Sequence, residues 1–455
     1  MSFCLALCAC TAATLAAGGQ AKARITPAFS WKTLPVAFHS SSSASQFSAA
    51  QVAELGRYAM VTIEKFQNIA AVAPATTLAA PTYRSLPGGL YACQNGTELG
   101  RCGCCAEEQI VAAARAIKAA NPAVVTIAYL NCQISYGWYA AARELAANEP
   151  WWLENGPGGH DGPAGSTWKN VALDAPGAAA WWQRTAVNLT ASGAIDGVFA
   201  DGCMSHESSG GSLSPARVAA LYKAKHAMLG DLQPQLPGPI VCGSAGDFPP
   251  GVDAVQMEGW GLVRGGRTHF ASEEIPALRK AVQVLTSAFS FFCLRPANSL
   301  YLFPPHILYL PPAVQAGVIF QAHGRAVCGQ AKETPPCCAD APPCNCTTPR
   351  PDYRDAAVQT ELAAFLVAAG NTSYFVCGSW EDTFSGGSGG GTASGSTTWL
   401  PVYDLPLGEP LGDAVLDGDG SGILRRSFAS GTNATFNTKT ETGTVQWAAA
   451  PAASA

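Results

Sequence analysis

From residue 34 onward the chain alternates two hydrophobic patterns. Short, near-continuous apolar runs rich in β-branched residues occupy 34–39, 58–64, 124–131, 196–201, 239–243, 254–258, 317–322 and 373–378. Between them, Ala-rich stretches with helical spacing predict helices over 107–120, 178–191, 215–229, 273–281 and 355–369. Continuous apolar strands separated by helices predict a parallel sheet covered on both faces. Eight strands over about 350 residues fit an α/β fold of the (β/α)8 type with insertions, for which about 250 residues is typical. A doubly wound open sheet is the alternative. Against it, no strand leads into a G-x-G-x-x-G or P-loop turn.

The polar positions fall at the strand ends. His39, Glu64, Asn131, Asp201, Glu258 and His323 each stand at or just beyond the C-terminal end of a predicted strand. In a closed barrel those ends converge on one mouth, where active sites are built.

Two stretches interrupt the alternation. Residues 284–315 carry one charge, Arg295, among many aromatics and prolines, too Pro-broken for a transmembrane helix. Lys280-Ala-Val-Gln283 precedes the segment and Ala313-Val-Gln315 ends it, and its removal leaves an ordinary short connection. It reads as a translated retained intron, with an apolar loop insertion as the alternative. A Cys/Pro-rich loop follows at 328–350, and the barrel region as a whole covers 24–380. A Gly/Ser-rich loop spans 381–398. Residues 399–448 then alternate short β-like pieces with turns, predicting a small β-rich element packed on the barrel. Asp413, Asp417 and Asp419 lack EF-hand spacing and read as a plain turn.

Composition narrows the setting. Of 455 residues, 48% are hydrophobic, so a large core can form, and only 13% are charged. A net charge of −5 without a basic block argues against nucleic-acid binding. Residues 1–23 predict a secretory leader. Their apolar run, 3–17, is shorter than the ~20 residues that span a bilayer, and Ala21-Lys22-Ala23 offers a cleavage site. A basic n-region is missing, and a buried N-terminal helix is the alternative. Five N-x-S/T sequons, at Asn95, Asn188, Asn345, Asn371 and Asn433, point to a secreted glycoprotein. So do 17 cysteines, clustered at 93–105 and 328–346. In an oxidising compartment they predict loops bridged locally or to nearby loops; zinc is disfavoured because paired C-x-x-C spacing is absent. His39, His206 and His323 are weak metal candidates without an H-x-H pair. No metal or other cofactor is expected.

The chemistry centres on Asp196-Gly-Val-Phe-Ala-Asp201-Gly202. A hydrophobic strand ends in a carboxylate followed by glycine, presenting Asp201 with room for a ligand beside it. Two strands on, Val255-Gln-Met-Glu258-Gly-Trp260 does the same with Glu258. Two converging carboxylates are the minimum equipment for glycoside hydrolysis: one protonates the leaving oxygen, the other attacks the anomeric carbon or activates water. Each could instead cap a helix or pair with Arg. Aromatics near strand ends and in loops add flat faces for sugars, with Tyr129, Trp138, Trp260 and Trp380 as the substrate-binding candidates. His39, Glu64, Asn131 and His323 are the polar ones.

The chain resembles hypothetical glycosyl hydrolase families with barrel folds, close to hypothetical glycosyl hydrolase family 15. Leu173-Asp174 before the helix containing Trp181-Trp182, the strand Asp196–Asp201, and Leu405-Pro-Leu-Gly-Glu-Pro-Leu-Gly-Asp-Ala414 carry the resemblance, with Arg426-Ser-Phe428, Gly431-Thr432 and Val445-Gln-Trp447. It spans roughly 34–448 and implies a carbohydrate-active barrel acting on an oligo- or polysaccharide. Analogy with α-galactosidase-like barrels, nucleophile on the fourth strand and acid/base on the sixth, implies those roles for Asp201 and Glu258. A non-catalytic carbohydrate-binding or cell-surface protein on a barrel scaffold is the alternative.

Overall fold

A computed structural model describes residues 24–42, 45–68, 105–153, 168–203, 213–243, 251–260, 262–264, 267–269, 319–324, 356–377, 399–418 and 420–448. The expected leader at 1–23, helix at 273–281, segment 284–315, Cys/Pro-rich loop at 328–350 and Gly/Ser-rich loop at 381–398 lie outside the described residues.

In chain order the first elements are β1 (Val36–Ser40), α1 (Ala49–Leu55), β2 (Met60–Ile63), α2 (Ala106–Ala120), β3 (Val125–Asn131), β4 (Ile134–Tyr136), α3 (Ala142–Ala146) and β5 (Trp168–Asn170). There follow α4 (Ala178–Thr190), β6 (Gly197–Asp201), α5 (Pro215–Leu232), β7 (Ile240–Gly243), β8 (Ala254–Trp260), β9 (Leu262–Arg264) and β10 (Arg267–His269). The chain continues through β11 (Ile319–Gly324), α6 (Ala356–Ala368), β12 (Ser373–Cys377), β13 (Val415–Leu416), β14 (Ile423–Ser427), β15 (Asn433–Asn437) and β16 (Thr442–Gln446).

The fold is α/β, built on a curled sheet of eight parallel strands in the order β1-β12-β11-β8-β7-β6-β3-β2. β1 pairs with β12 on one side and with β2 on the other, so the sheet closes on itself. The eight predicted strands are these eight, displaced by a residue or two at their ends. Their sequences explain why. Every residue of β2, β3 and β7 is buried, as expected where a sheet is covered on both faces. No helix separates β7 from β8 among the described residues. The two-stranded antiparallel pairs β4–β5 and β9–β10 were not expected, being too short for a period to register.

Local sequence starts the helices where the sheet needs them. Ser48 and Gln51 form a reciprocal capping box on α1. Ser214 caps α5 ahead of Pro215, whose missing N–H costs nothing in a first turn. In α2 the buried positions Gln109, Ile110, Ala113, Ala114 and Ile117 make one stripe facing the sheet.

The last four strands form a separate antiparallel sheet, β13-β14-β15-β16. Helix α6 lies between it and the parallel sheet, which accounts for its apolar residues on all sides. Phe365 meets Phe375 of β12 with ring centroids 5.5 Å apart. On the other side the Val445 amide donates to Gln359 Oε1 at 2.8 Å, and Arg426 donates to the Leu366 and Ala369 carbonyls.

One close approach gives a test of the sheet. A Cβ at Gly197 would overlap the Pro239 carbonyl, which accepts the Val198 amide where β6 and β7 meet. Gly197→Ala is expected to destabilise the protein by about 1–3 kcal/mol through overpacking, read as a lower thermal midpoint. An unchanged midpoint would show that β6 and β7 lie farther apart.

Candidate active site

Parallel pairing brings the strand ends to one side. Asn131 lies opposite Asp201 across β3 and β6, and Glu258 lies opposite His323 across β8 and β11. Asp201, at the end of β6, accepts three hydrogen bonds. Tyr129 donates its hydroxyl to Oδ2 at 2.5 Å, Asn131 Nδ2 donates to the same oxygen at 2.8 Å, and the Gly202 amide donates to Oδ1 at 2.8 Å. Each donor is held in place. Asn131 Oδ1 accepts the Gln133 and Ile134 amides at 2.7 and 2.8 Å, so its amino group is left to face Asp201. Burial, then Tyr136 and Asp201, push the Tyr129 phenol well above its ordinary pKa, so it keeps its proton and donates. Gly202 has φ +66°, which glycine adopts without strain, and a Cβ there would crowd Gln133. Three donors on two oxygens are the surroundings of an acceptor-only, ionised carboxylate.

A second buried cluster stands beside it. His39 on β1 makes Nδ1···Oε1 contact with Gln256 at 2.8 Å and Nε2···Oε1 contact with Glu64 at 2.7 Å. The other Glu64 oxygen accepts from Lys65 Nζ at 2.8 Å. Burial would raise the Glu64 pKa, but Lys65 and His39 outweigh it and hold the carboxyl below its ordinary value. Burial would likewise lower Lys65, yet Glu64, then Tyr136 and Asp201, hold its ammonium above the ordinary lysine range. Lys65 Nζ also lies 4.1 Å from the centroid of the Tyr129 ring, a cation–π contact that ties this cluster to the phenol bonded to Asp201.

Of the predicted residues, His39, Glu64, Tyr129, Asn131 and Asp201 therefore form one linked network. Glu258 and Trp260 are placed on β8 and His323 on β11 by their backbone alone, and Trp380 lies outside the described residues. The structure corrects the reading of Trp138 as a sugar platform. It is 2% exposed, stacks on Tyr136 with centroids 4.9 Å apart, and donates its indole N–H to the Lys65 carbonyl. Both faces are committed to packing. A correction also applies to the cysteines: Cys105 in the first cluster is a buried free thiol, pushed up to about 12 first by burial. Cys132 is free too, whereas Cys203 and Cys242 form a disulfide joining the turn after Asp201 to β7.

Sequence reasoning missed Lys65, Gln256, Lys225 and that bridge. Lys65 had a signal, since it directly follows a strand-end carboxylate. Lys225 had one only in hindsight, as a charge within the apolar stripe of α5.

The Glu64–Lys65 pair makes stability pH-dependent. The Glu64 carboxyl is lowered from 4.5, so its contribution is present above that pH and is lost as pH falls through the folded value. Lys65 is raised from 10.5, so its contribution is complete below that pH and is lost only on raising pH through the folded value. In Glu64→Gln/Lys65→Met the fall of thermal midpoint on acidification below pH 4.5 is expected to be shallower than in the unaltered protein. Glu64→Gln alone, leaving a buried unpaired ammonium, should cost about 3–5 kcal/mol. Identical acid profiles would remove the pair from the stability of this site.

Several solved glycosidases are similar at low identity. The glycoside hydrolase domain of PelA from Pseudomonas aeruginosa is 14% identical, with 75% of this chain and 94% of that chain covered and a TM-score of 0.38. A GH27 β-L-arabinopyranosidase from Geobacillus stearothermophilus is 10% identical, covering 90% and 84%, at 0.41. The GH36 α-galactosidase AgaA from Geobacillus stearothermophilus is 12% identical, covering 92% of this chain but 49% of its own, at 0.42. Scores this low carry no argument about chemistry. No curated protein matches the chain. The family described as Hypothetical glycosyl hydrolase family 15 matches residues 118–432, from before β3 to just short of β15, with Asp201 and Glu258 inside the match and His39, Glu64 and Lys65 ahead of it. With well over half of its length matched, the chain belongs to hypothetical glycosyl hydrolase family 15.

Proposed function

We propose that this chain is a secreted glycoside hydrolase whose closed sheet is a complete (β/α)8 catalytic barrel with the C-terminal sheet as an appendage. The observation that carries the reading is the set of three fixed donors on Asp201 at the end of β6. A carboxylate held in this way stays available as nucleophile or base, while its oxygens point where the strand ends converge. Glu258, two strands away on β8, is the general acid. Asp201 attacks the anomeric carbon, or activates a water to do so, as Glu258 protonates the departing glycosidic oxygen. Glu64 is unsuited to the acid role, because Lys65 and His39 keep its carboxyl ionised. A carboxyl separation of about 5–5.5 Å goes with retention and about 6.5–9.5 Å with inversion.

The substrate is an oligo- or polysaccharide. Trp260 and Trp380 are the aromatic platforms, and His323 is a polar contact to hydroxyls. Secretion is supported by the Cys203–Cys242 bridge, a bond that persists most readily in an oxidising compartment, and by the exposed sequon residues Asn188, Asn371 and Asn433. Among the described residues no helix is long and apolar enough to cross a membrane.

Hydrolysis of a panel of 4-nitrophenyl glycosides and soluble polysaccharides tests the reading. Asp201→Asn and Glu258→Gln should each lower turnover by roughly 10²–10⁴-fold with the melting temperature unchanged. Glycan binding without turnover in the unaltered protein would favour a binding module instead.

Tyr129→Phe removes one charge-assisted donor from Asp201 and should lower kcat/KM by roughly ten- to hundredfold. Unchanged kinetics in that variant would exclude the phenol from the reaction.

A further inference from the structure

Helix α5 turns a stripe inward through Leu221, Lys225, Met228, Leu229 and Leu232, all buried. Their spacing is that of one helical face, on which every position but one is apolar. Lys225 is the exception, with 0% of its surface exposed. A leucine or methionine would fill this position without the cost of taking an ammonium out of water. Something at the end of the side chain must offset that cost.

The ammonium reaches the turn that follows Asp201. Lys225 Nζ donates to the Gly202 carbonyl at 2.6 Å, and Gln133 Nε2 donates to the same oxygen at 3.1 Å. One residue on, Cys203 is bonded to Cys242 of β7. The Gly202–Cys203 peptide is thus gripped at its oxygen by two side chains and at its far end by a disulfide. Gly202 is the residue whose own N–H donates to Asp201 Oδ1, and its φ of +66° helps relate that N–H to the held carbonyl. On the strand side the Cys132 amide donates to the Asp201 carbonyl at 2.7 Å.

We infer that Lys225 is a positioning residue: acting through the Gly202 carbonyl, with Gln133 as its second donor, it aims the Gly202 N–H at Asp201 and places a cation behind that carboxylate. The inference rests on the proposed role of Asp201 and adds a part from the outer helix layer. Burial lowers the Lys225 ammonium to about 8, against the opposing pull of Cys132 and Asp201, so it remains charged in mildly acidic to neutral solution. Among the described residues, the other titratable groups that act on Asp201 are Cys132, Lys65, Tyr129 and Tyr136.

The test reads Asp201 directly. In protein carrying 13Cγ-labelled aspartate, the Asp201 resonance is assigned by its loss in Asp201→Asn, and its titration is followed by NMR. Lys225→Met, which keeps length and removes charge and donor, should move the Asp201 midpoint to higher pH; Gln133→Leu should move it the same way by less. On the 4-nitrophenyl glycoside that the unaltered protein turns over fastest, Lys225→Met should lower kcat about tenfold with KM within about twofold. A Lys225→Met protein that melts normally and keeps the original Asp201 titration would overturn the inference. Should that variant fail to fold, Gln133→Leu decides it by the same titration, an unmoved midpoint again being fatal. Full activity of Asp201→Asn would sink the glycosidase reading instead, a separate result.

Discussion

The pairing of β3 with β6 places Asn131 opposite Asp201, and the rest of the site depends on that register. Side chains alternate faces along a strand, so a slip of one residue would turn Asp201 away from its donors and bring Ala200 into its place. The register is held by burial, since apolar positions fill both strands, and by bonds beyond their ends. Trp182 of α4 donates its indole N–H to the Asn131 carbonyl at 3.0 Å. The Cys132 amide continues the ladder onto the Asp201 carbonyl. Tyr139, from the segment after β4, donates to the Tyr129 carbonyl at 2.9 Å, pinning the strand that carries both side-chain donors.

Buried charge surrounds this register on two sides, and it has a thermodynamic cost. An ion pair such as Glu64–Lys65 loses more hydration on burial than its attraction returns unless hydrogen bonds satisfy what remains. Here His39, the Lys65 amide and the Tyr129 ring face supply that satisfaction. An apolar pair would stabilise the barrel mouth at least as well, so the charges are better understood as shaping the field around Asp201 than as adding stability. Lys225 fits the same description from the helix layer. The two lysines approach Asp201 from different elements, one through a ring face and one through a backbone carbonyl.

How far the sequence revealed this arrangement follows from what each feature looks like in one dimension. The eight parallel strands were legible as near-continuous apolar runs, which burial on both faces explains in β2, β3 and β7, and Asp201 stood out because it ends such a run before a glycine. The short antiparallel strands β4, β5, β9 and β10 were not, since three residues cannot display a period. Trp138 misled because an aromatic just past a strand looks the same whether it faces a ligand or packs on Tyr136. Gln256 was invisible as a partner because nothing in a single strand announces a neutral amide that bonds to a histidine 217 residues earlier. Lys225 drew no reading at all, because lysine in an Ala-rich helix is ordinarily solvated, and only the stripe of buried neighbours marks it out.

The cysteines separate the same way. Clustering led to the expectation of bridges within the clusters or to nearby loops, and of the clustered cysteines only Cys105 is among the described residues. The bridge formed there, Cys203–Cys242, belongs to neither cluster and joins across 39 residues. Parallel topology explains the distance. Adjacent parallel strands are always separated by a crossover, here the one containing α5, so two residues side by side at their ends are far apart in the chain. The same logic governs the site as a whole. His39, Glu64, Asn131 and Asp201 stand on or just beyond four successive strands of the sheet, and parallel pairing of those strands makes neighbours of residues far apart in the chain. The Cys203–Cys242 bridge therefore does more than staple a loop: it ties the turn after Asp201 to the neighbouring strand β7.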